Sequence, residues 1–350
     1  MNDVQNKSSS ARGALRGLAW LAGKLGPLWA LVLVVALFAG LDQWKHGKNA
    51  RFLTLARLHS VSAQASPVAV AALGMTVIII AGGIDLSAGS AVALSATMLA
   101  YCLRDDSGPL AAVTVCLAVG CLAGMMNGAL IAGLRVVPFI VTLGTMMIYL
   151  GLAKLAANEV TIHLKPDQVP TWLSYTGLVS RHPRPPWLLP GVVPNFASGV
   201  WLALGLAAAL GVLLRYTVFG RYVYAIGSNE STARLCGIHV PLVKVAVYTL
   251  GGLFVGIAAL YQFSILSQGN PMSGVGMELR VIAAVVIGGG SLSGGRGSLL
   301  GTLAGAAITE TIRSGCSQMG WRAPYQDMAL GGIIIAAVVF DEIRQRRSRQ

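Results

Sequence analysis

The sequence contains few charged residues, and acids are the scarcest. Only 11% of its 350 residues are charged, with 13 Asp and Glu against 26 Lys and Arg, whereas roughly 25% is usual in soluble domains. Hydrophobic residues make up 55%, and the mean hydropathy is +0.69. A water-soluble core cannot bury that much apolar surface. The composition therefore excludes an ordinary soluble domain and predicts an all-α integral membrane protein.

Patterns typical of catalytic and metal sites are also missing. The five cysteines form no Cys-x-x-Cys pair and have no histidine at a metal-ligand spacing, so neither a disulfide framework nor a metal site is indicated. No Gly-x-x-x-x-Gly-Lys-[Ser/Thr] phosphate loop, His-Glu-x-x-His pair or Gly-x-Ser-x-Gly elbow occurs. We therefore expect no enzyme activity, metal or cofactor on this chain. The net charge of +13 forms no basic cluster with interleaved aromatics, so no nucleic-acid partner is expected.

Ten apolar runs lie between charged or proline-rich breaks, and each approaches the length of a membrane span. We therefore expect about ten transmembrane helices. The eighth and ninth runs are short and flank a glycine-rich stretch that we interpret as a tight turn, so this region is either two spans or one broken or re-entrant unit. The runs are residues 27–41, 61–81, 86–103, 109–134, 137–156, 196–214, 242–263, 279–290, 298–312 and 328–340.

The distribution of Lys and Arg predicts the orientation. An even number of spans puts both termini on one side, and basic residues concentrate in the two tails and in the 215–244 region, which favours cytoplasmic termini. The predicted parts are a cytoplasmic tail at 1–26, a transmembrane domain at 27–341 and a basic cytoplasmic tail at 342–350. Within the domain, 158–195 contains seven prolines and becomes a periplasmic loop, while 215–241 becomes a cytoplasmic loop.

The most informative membrane segment surrounds Asp85. This residue is the only acid between Asp42 and Asp105, and an ionisable group within an apolar stretch is costly enough to be a functional candidate. Gly82 and Gly83 can end one helix, and Asp85 can cap the next by accepting backbone amides. Two interpretations stay open: Asp85 is only that cap, or the helix break borders a permeation path.

A short helix is predicted within the loop 215–241. Asn229 or Ser228 can cap it, and Glu230 lies in its first turn, where the helix dipole favours an anion. Gly237 supplies a left-handed stop. The result is a two-turn helix at the membrane surface, and its caps alone do not distinguish an ordinary connector from a contact point for a cytoplasmic partner.

Six motifs together resemble one family. They are Gly82-Gly83-Ile84-Asp85-Leu86-Ser87, Met126-Asn127-Gly128, Val137-Pro138-Phe139-Ile140-Val141-Thr142-Leu143-Gly144, Phe219-Gly220-Arg221, the loop 227–238 and the stretch 288–301. With these motifs the chain, from residue 63 to 339, resembles the ribose-type sugar permeases of bacterial ATP-binding-cassette importers, which are related to branched-chain amino-acid permeases. The motif at 82–87 favours the sugar branch.

The resemblance implies a set of partners and a location. Two permease chains, identical or different, form the pathway in the bacterial inner membrane. Two cytoplasmic ATPase domains hold the ATP and Mg, and a periplasmic binding protein delivers a monosaccharide. The resemblance also implies that the short helix is the coupling helix that docks on the ATPase. Its residues are Asn229, Glu230, Ala233 and Gly237.

The expected mechanism is alternating access driven by the ATPases, with no covalent chemistry on this chain. Sparse polar groups facing the path would let a hydroxylated solute pass without holding it. The candidates are Asp85, Ser87, Ser90, Asn127 and Thr142. The alternative is an ion-coupled secondary sugar transporter, which the lone Asp85 and the broken helices would also suit. A membrane-embedded enzyme ranks last, because the spans contain no paired acids, metal cluster or nucleophile with its base.

Overall fold

The protein is an all-α bundle with one minimal pair of strands. The computed structural model describes residues 26–47, 50–174 and 198–349. Strand β1 (Ile162–His163) pairs antiparallel with β2 (Gln268–Gly269). The described helices are α1 (Gly26–His46), α2 (Leu55–Ile80), α3 (Ala88–Arg104), α4 (Pro109–Leu134), α5 (Pro138–Ala156), α6 (Ser198–Tyr216), α7 (Val218–Ser228), α8 (Glu230–Leu235), α9 (Val240–Leu266), α10 (Met277–Ile287), α11 (Leu299–Gln318) and α12 (Ala323–Arg349).

Each of the ten apolar runs falls on a helix, but only part of the predicted span count is confirmed. Six of the described helices, α1, α2, α4, α5, α6 and α9, are long and apolar enough to cross a membrane. Helix α3 is apolar but has 17 residues, and α10 has only 11. Helix α12 continues through the predicted basic tail to Arg349. The tail at 1–25 and the proline-rich stretch at 175–197 lie outside the described residues.

Helix α2 is the centre of the bundle. In its most apolar stretch of 18 residues, 94% of the residues are buried inside the protein, whereas in the corresponding stretches of α4, α5 and α6 less than a third are buried. It packs against α9, α11 and α10. A helix that is apolar all round and buried on every side is the expected core element of a membrane bundle, and the outer helices keep apolar faces for lipid.

Glycines hold α4 and α9 in direct backbone contact. Gly120, Gly124 and Gly128 follow one another at four-residue intervals, which places them on one face of α4. A Cβ at Gly120 would lie 2.5 Å from the carbonyl oxygen of Gly252 and 2.7 Å from the amide nitrogen of Gly256, both on α9. Since lipid gives no hydrophobic drive between helices, such close approach supplies the van der Waals contact that binds them.

The loops gather at two ends of the bundle. At the end that carries α8, the amide of Gly295 donates to the carbonyl of Ile80 (2.8 Å), beside Gly227; we call this the α8 end. At the other end, β1 pairs with β2, and the Ser264 hydroxyl donates to the Leu173 carbonyl (2.6 Å); we call this the β end.

A broken helix accounts for the short α10. The connecting segment 268–276, a two-residue strand followed by turns, runs along α3 into the bundle: Gly269 packs against Ala100, and Gly274 packs against Gly89. Eleven helical residues separate those two contacts on α3, which corresponds to about 16 Å along its axis. Helix α10 therefore begins at Met277 well inside the bundle. This break precedes α10 and is distinct from the glycine-rich turn between the eighth and ninth runs, for which two spans or one broken unit stay the predicted alternatives.

Candidate functional site

Asp85 closes the turn that leads from α2 into α3. The residue is only 4% exposed. One carboxylate oxygen, Oδ1, accepts from the Ser87 amide (2.8 Å) and from the Ser87 hydroxyl (2.6 Å). Gly82, with φ of +81°, turns the chain after α2 as expected of a glycine at a helix end. The N-cap residue of α3 is Ser87, and the helix has no side-chain cap, so Asp85 holds the turn before the helix and is not the predicted cap.

Asn127 of α4 extends this turn into a buried polar cluster. Its Nδ2 donates to the Ser87 hydroxyl (2.8 Å) and to Asp85 Oδ1 (3.4 Å). The hydroxyl of Tyr149, on α5, lies 3.2 Å from Asn127 Oδ1 and 2.8 Å from the Ala123 carbonyl, and it can donate to either. These buried polar groups thereby gain partners, which offsets the loss of their contacts with water.

The carbonyl of Ile84 ties the turn to two further helices. It accepts from the Thr142 hydroxyl of α5 (3.2 Å) and from the Tyr248 hydroxyl of α9 (3.4 Å). Gly83 lies directly against the hydroxyl of that tyrosine. The break between α2 and α3 is thus held from α4, α5 and α9 at once.

Four of the five residues proposed for the pathway meet in this cluster. Asp85, Ser87 and Asn127 are hydrogen-bonded to one another, Thr142 bonds the adjacent Ile84 carbonyl, and Ser90 is buried one turn further along α3. All five are closed off from solvent in this conformation, and their role in translocation stays a prediction. Sequence reasoning missed Tyr149 and Tyr248. The signal was a phenol within a long apolar run, since a buried Tyr hydroxyl needs a partner.

The short helix α8 has the predicted local structure. Asn229 is its N-cap, and its side chain accepts from the Thr232 amide (2.9 Å). Gly237, at φ of +81°, ends it in the left-handed region. Ala233 faces inward and is buried, whereas Leu235 projects from the surface with 88% of its area exposed. The caps are thus confirmed, and Asn229 rather than Ser228 supplies the side-chain cap.

Glu230 joins α8 to α9. Its carboxylate contacts Arg234 one turn on (2.6 Å) and Lys244 of α9 (2.8 Å). Partial burial opposes ionisation of this carboxyl group, but the bonds to Lys244 and Arg234 outweigh it and lower the pKa of Glu230 below its ordinary value. The side chain predicted to contact a partner is therefore used, at least in part, to hold the helix in place.

Helix α7 lies in the loop 215–241 and was not predicted. Thr217 caps it by accepting from the Gly220 amide (3.2 Å). Gly220 packs against the Leu214 backbone so closely that a side chain has no room, which explains a glycine in the Phe219-Gly220-Arg221 motif. Together α7 and α8 make this loop a helical layer at one end of the bundle.

Comparison with known proteins places the chain in a family. Residues 57–338 match the family described as branched-chain amino acid transport system / permease component. The chain is 34% identical over 327 residues to the ribose import permease protein of Escherichia coli (strain K12), covering 93% of this chain and 96% of that protein.

Two further relatives are import permeases as well. The ribose import permease protein of Bacillus subtilis (strain 168) is 35% identical over 91% of this chain and 92% of its own length. The fructose import permease protein of Rhizobium meliloti is 32% identical over 90% and 84%. No solved structure matches the chain. The resemblance drawn from the motifs is confirmed: the chain belongs to the ATP-binding-cassette permease family that includes the ribose-type sugar permeases, and it is a multi-pass inner-membrane transport subunit.

Proposed function

We propose that this chain is the permease subunit of an ATP-driven importer that moves a monosaccharide delivered by a periplasmic binding protein. The observation that carries the proposal is the similarity, over almost the whole length of both chains, to import permeases named for ribose and fructose. A sugar of five or six carbons is therefore the proposed substrate class. The proposed partners are a second permease chain, a cytoplasmic ATPase that binds ATP and Mg, and the binding protein.

The proposed topology has ten membrane crossings, with α3 and the pair α10 and α11 as the incomplete ones, and cytoplasmic termini. Alternating the crossings puts residues 81–87, 227 and 294–295 on the inside, and these segments meet at the α8 end. The same alternation puts 158–174 and 264–269 outside, and these meet at the β end. The agreement of two independent groupings supports the alternation of the crossings, and the basic residues of the tails and of the 215–244 region assign the α8 end to the cytoplasm.

A continuous set of contacts leads from α8 to the Asp85 cluster. Glu230 of α8 binds Lys244 of α9. Lys244 and Tyr248 are one helical turn apart, so both lie on the same face of α9. Tyr248 in turn bonds the Ile84 carbonyl beside Asp85. We propose that closure of the ATPases moves α8, that α9 follows, and that the break between α2 and α3 shifts between outward and inward openings.

Within this mechanism the roles of the predicted residues follow. Asn229, Gly237 and Ala233 shape α8 for docking, and Glu230 transmits its movement. Asp85, Ser87, Ser90, Asn127 and Thr142 would border the path in the conformations that open the break. No step forms a covalent bond to the sugar, so the chain supplies conformational change and no catalysis.

Uptake in reconstituted vesicles tests the proposal. Proteoliposomes contain this permease with its cognate ATPase and binding protein, and uptake of radiolabelled ribose and fructose is measured with and without enclosed ATP. We expect accumulation that requires both ATP and the binding protein. Substitution Lys244→Gln should leave ATP hydrolysis in place and reduce uptake several-fold.

The ion-coupled alternative predicts the opposite pattern. Uptake that proceeds without ATP, follows an imposed proton or sodium gradient and disappears in Asp85→Asn would overturn the importer. Under the importer mechanism the amide of that variant still offers an oxygen to the Ser87 amide, so ATP-dependent uptake should persist with no dependence on either gradient.

A further inference from the structure

A cavity of about 520 Å³ lies between α10, α11 and α12. Its wall includes the side chains of Arg280, Thr309, Arg313, Gln326 and Asp327. These positions fall in the first turns of α10, the last turns of α11 and the first turns of α12, so the cavity lies in the half of the bundle toward the β end. Nothing in the proposed coupling mechanism uses it.

The charged groups around the cavity are not paired with one another. Within the part of the chain that the structure describes, the ion pairs within 4.0 Å involve other residues. Glu310 is 3% exposed and lies within electrostatic range of Arg280 and Arg313. Arg280 also interacts with Glu278 and Asp327. Of these groups, Arg280, Arg313 and Asp327 line the cavity; Arg280 is half-buried, whereas Arg313 and Asp327 are exposed.

Charged side chains that line a cavity without pairing with one another keep their hydrogen-bonding capacity for a molecule inside it. Ionisable residues inside membrane proteins face cavities or partners and mark substrate paths by default. If the cluster served only to fasten α10 to α11, direct ion pairs would be the arrangement of lowest energy. The groups instead surround a space large enough for a small molecule, since such sites span roughly 300–1,000 Å³.

The cavity also lies at a break between helices, a position typical of solute-binding sites in transporters. Val275, Gly276 and Leu279 also line it, and they flank the point inside the bundle where the connecting segment 268–276 ends and α10 begins. In transporters, sites for small solutes are built where a helix is interrupted near the middle of the membrane. The break before α10 therefore provides a second observation, independent of the charges.

We propose that this cavity binds a neutral polyhydroxylated molecule, a monosaccharide in transit, with Arg280, Arg313 and Asp327 as its contact residues. Guanidinium groups donate hydrogen bonds in a fixed fork, and carboxylates accept them, whereas each sugar hydroxyl both donates and accepts. The lining holds two arginines and one aspartate, so it offers both donors and acceptors to one hydroxylated solute. The proposal rests on the proposed function, since it names a site on the path of that importer.

The test compares substitutions in the complete importer. Arg313→Gln and Asp327→Asn remove charge from the cavity wall, and Gln326→Trp fills it from its half-exposed mouth. Arg322→Gln and Tyr325→Trp are matched controls, because both residues are exposed at the start of α12 and neither lines this cavity. Each complex is purified, its assembly is checked by size-exclusion chromatography, and ATP hydrolysis and uptake of labelled ribose and fructose are measured.

We expect each cavity variant to reduce uptake at least fivefold while ATP hydrolysis stimulated by the binding protein stays within twofold of the parent. The ratio of ribose to fructose uptake should also change in Arg313→Gln or Asp327→Asn, which a merely structural role would not cause. Both controls should match the parent. Should the two charge variants fail to assemble, Gln326→Trp decides the question alone.

The failures of the two proposals can be told apart. Parent complexes that transport sugar, together with cavity variants that transport it at the parent rate and ratio, overturn the cavity site and leave the importer intact. Parent complexes that show no ATP-dependent uptake of either sugar overturn the importer, and the cavity proposal falls with it.

Discussion

The contact between α4 and α9 predicts a site where one methyl group is enough to damage the bundle. In Gly120→Ala the new Cβ would lie 2.5 Å from the Gly252 carbonyl oxygen and 2.8 Å from Gly256 Cα. Carbon atoms in contact are normally about 3.5–4.0 Å apart, so the helices must separate by about 1 Å. All of the crowding atoms belong to the backbone, and none can move aside by rotating a side chain.

The change in the free energy of unfolding of Gly120→Ala follows from two opposed effects. Overpacking in a dense core costs typically ~1–3 kcal/mol, and the upper part of this range applies where the neighbours cannot yield. Replacing a mid-helix glycine by alanine returns ~0.5–1 kcal/mol of backbone entropy. We therefore expect Gly120→Ala to lower the free energy of unfolding by about 2 kcal/mol.

The control lies in the same helix. A methyl group added at Gly133 of α4 would meet no heavy atom of another helix within 4 Å, so Gly133→Ala should leave stability unchanged or raise it by up to about 1 kcal/mol. Both variants are compared with the parent by tryptophan fluorescence during titration of the purified protein with SDS. Equal midpoints for the two variants would refute the backbone contact between α4 and α9.

Three smaller predictions concern the α8 end. Asn229→Ala should destabilise α8 by ~0.5–2 kcal/mol and speed hydrogen exchange of its amides, whereas Ser228→Ala should not, and equal exchange in both would refute the assigned cap. The NMR signal of the Glu230 carboxyl carbon should titrate with a pKa below 4.5, its ordinary value, and Lys244→Gln should raise this pKa. Because the pKa is lowered in the folded state, the ion pair contributes stability at neutral pH, and this stability is lost as the pH falls through the folded-state pKa. Exposed Cys236 should not react with a membrane-impermeant maleimide in intact cells but should react after permeabilisation, with Cys236→Ala as the blank. Labelling of Cys236 in intact cells would place the α8 end outside.

The parts of the fold that depend on local chemistry could be predicted from the sequence. Helix position follows from apolar runs because unpaired backbone groups are too costly in lipid. The turn at Gly82, the cap at Asn229 and the stop at Gly237 follow because each requirement is met by the residue itself or by one a few positions away. These features need no knowledge of the neighbouring helices.

Partners across the bundle could not be predicted in this way. The bond from the Ser87 amide to Asp85 is local, but the contact of Asp85 with Asn127 and the position of Tyr149 beside that amide depend on how α4 and α5 cross. Helix α7 was missed because the run after Tyr216 is short and interrupted by Gly220. That glycine would weaken an isolated helix, and it is present because the Leu214 backbone occupies the space of a side chain.

The charged cavity shows why depth in the membrane is the hardest property to predict. Arg280 is the second residue of the run 279–290, and Glu310 lies near the end of 298–312, positions at which a charge normally marks the boundary with water. In the fold, the connecting segment 268–276 carries the chain into the bundle before α10 begins, so Arg280 is half-buried there, and Glu310 of α11 is buried. A charge at the end of an apolar run is therefore compatible with either location, and the path of the preceding backbone decides between them. Because that path creates both the break and the cavity, Arg280, which a span count assigns to the surface, is one of the residues that we infer to contact the sugar.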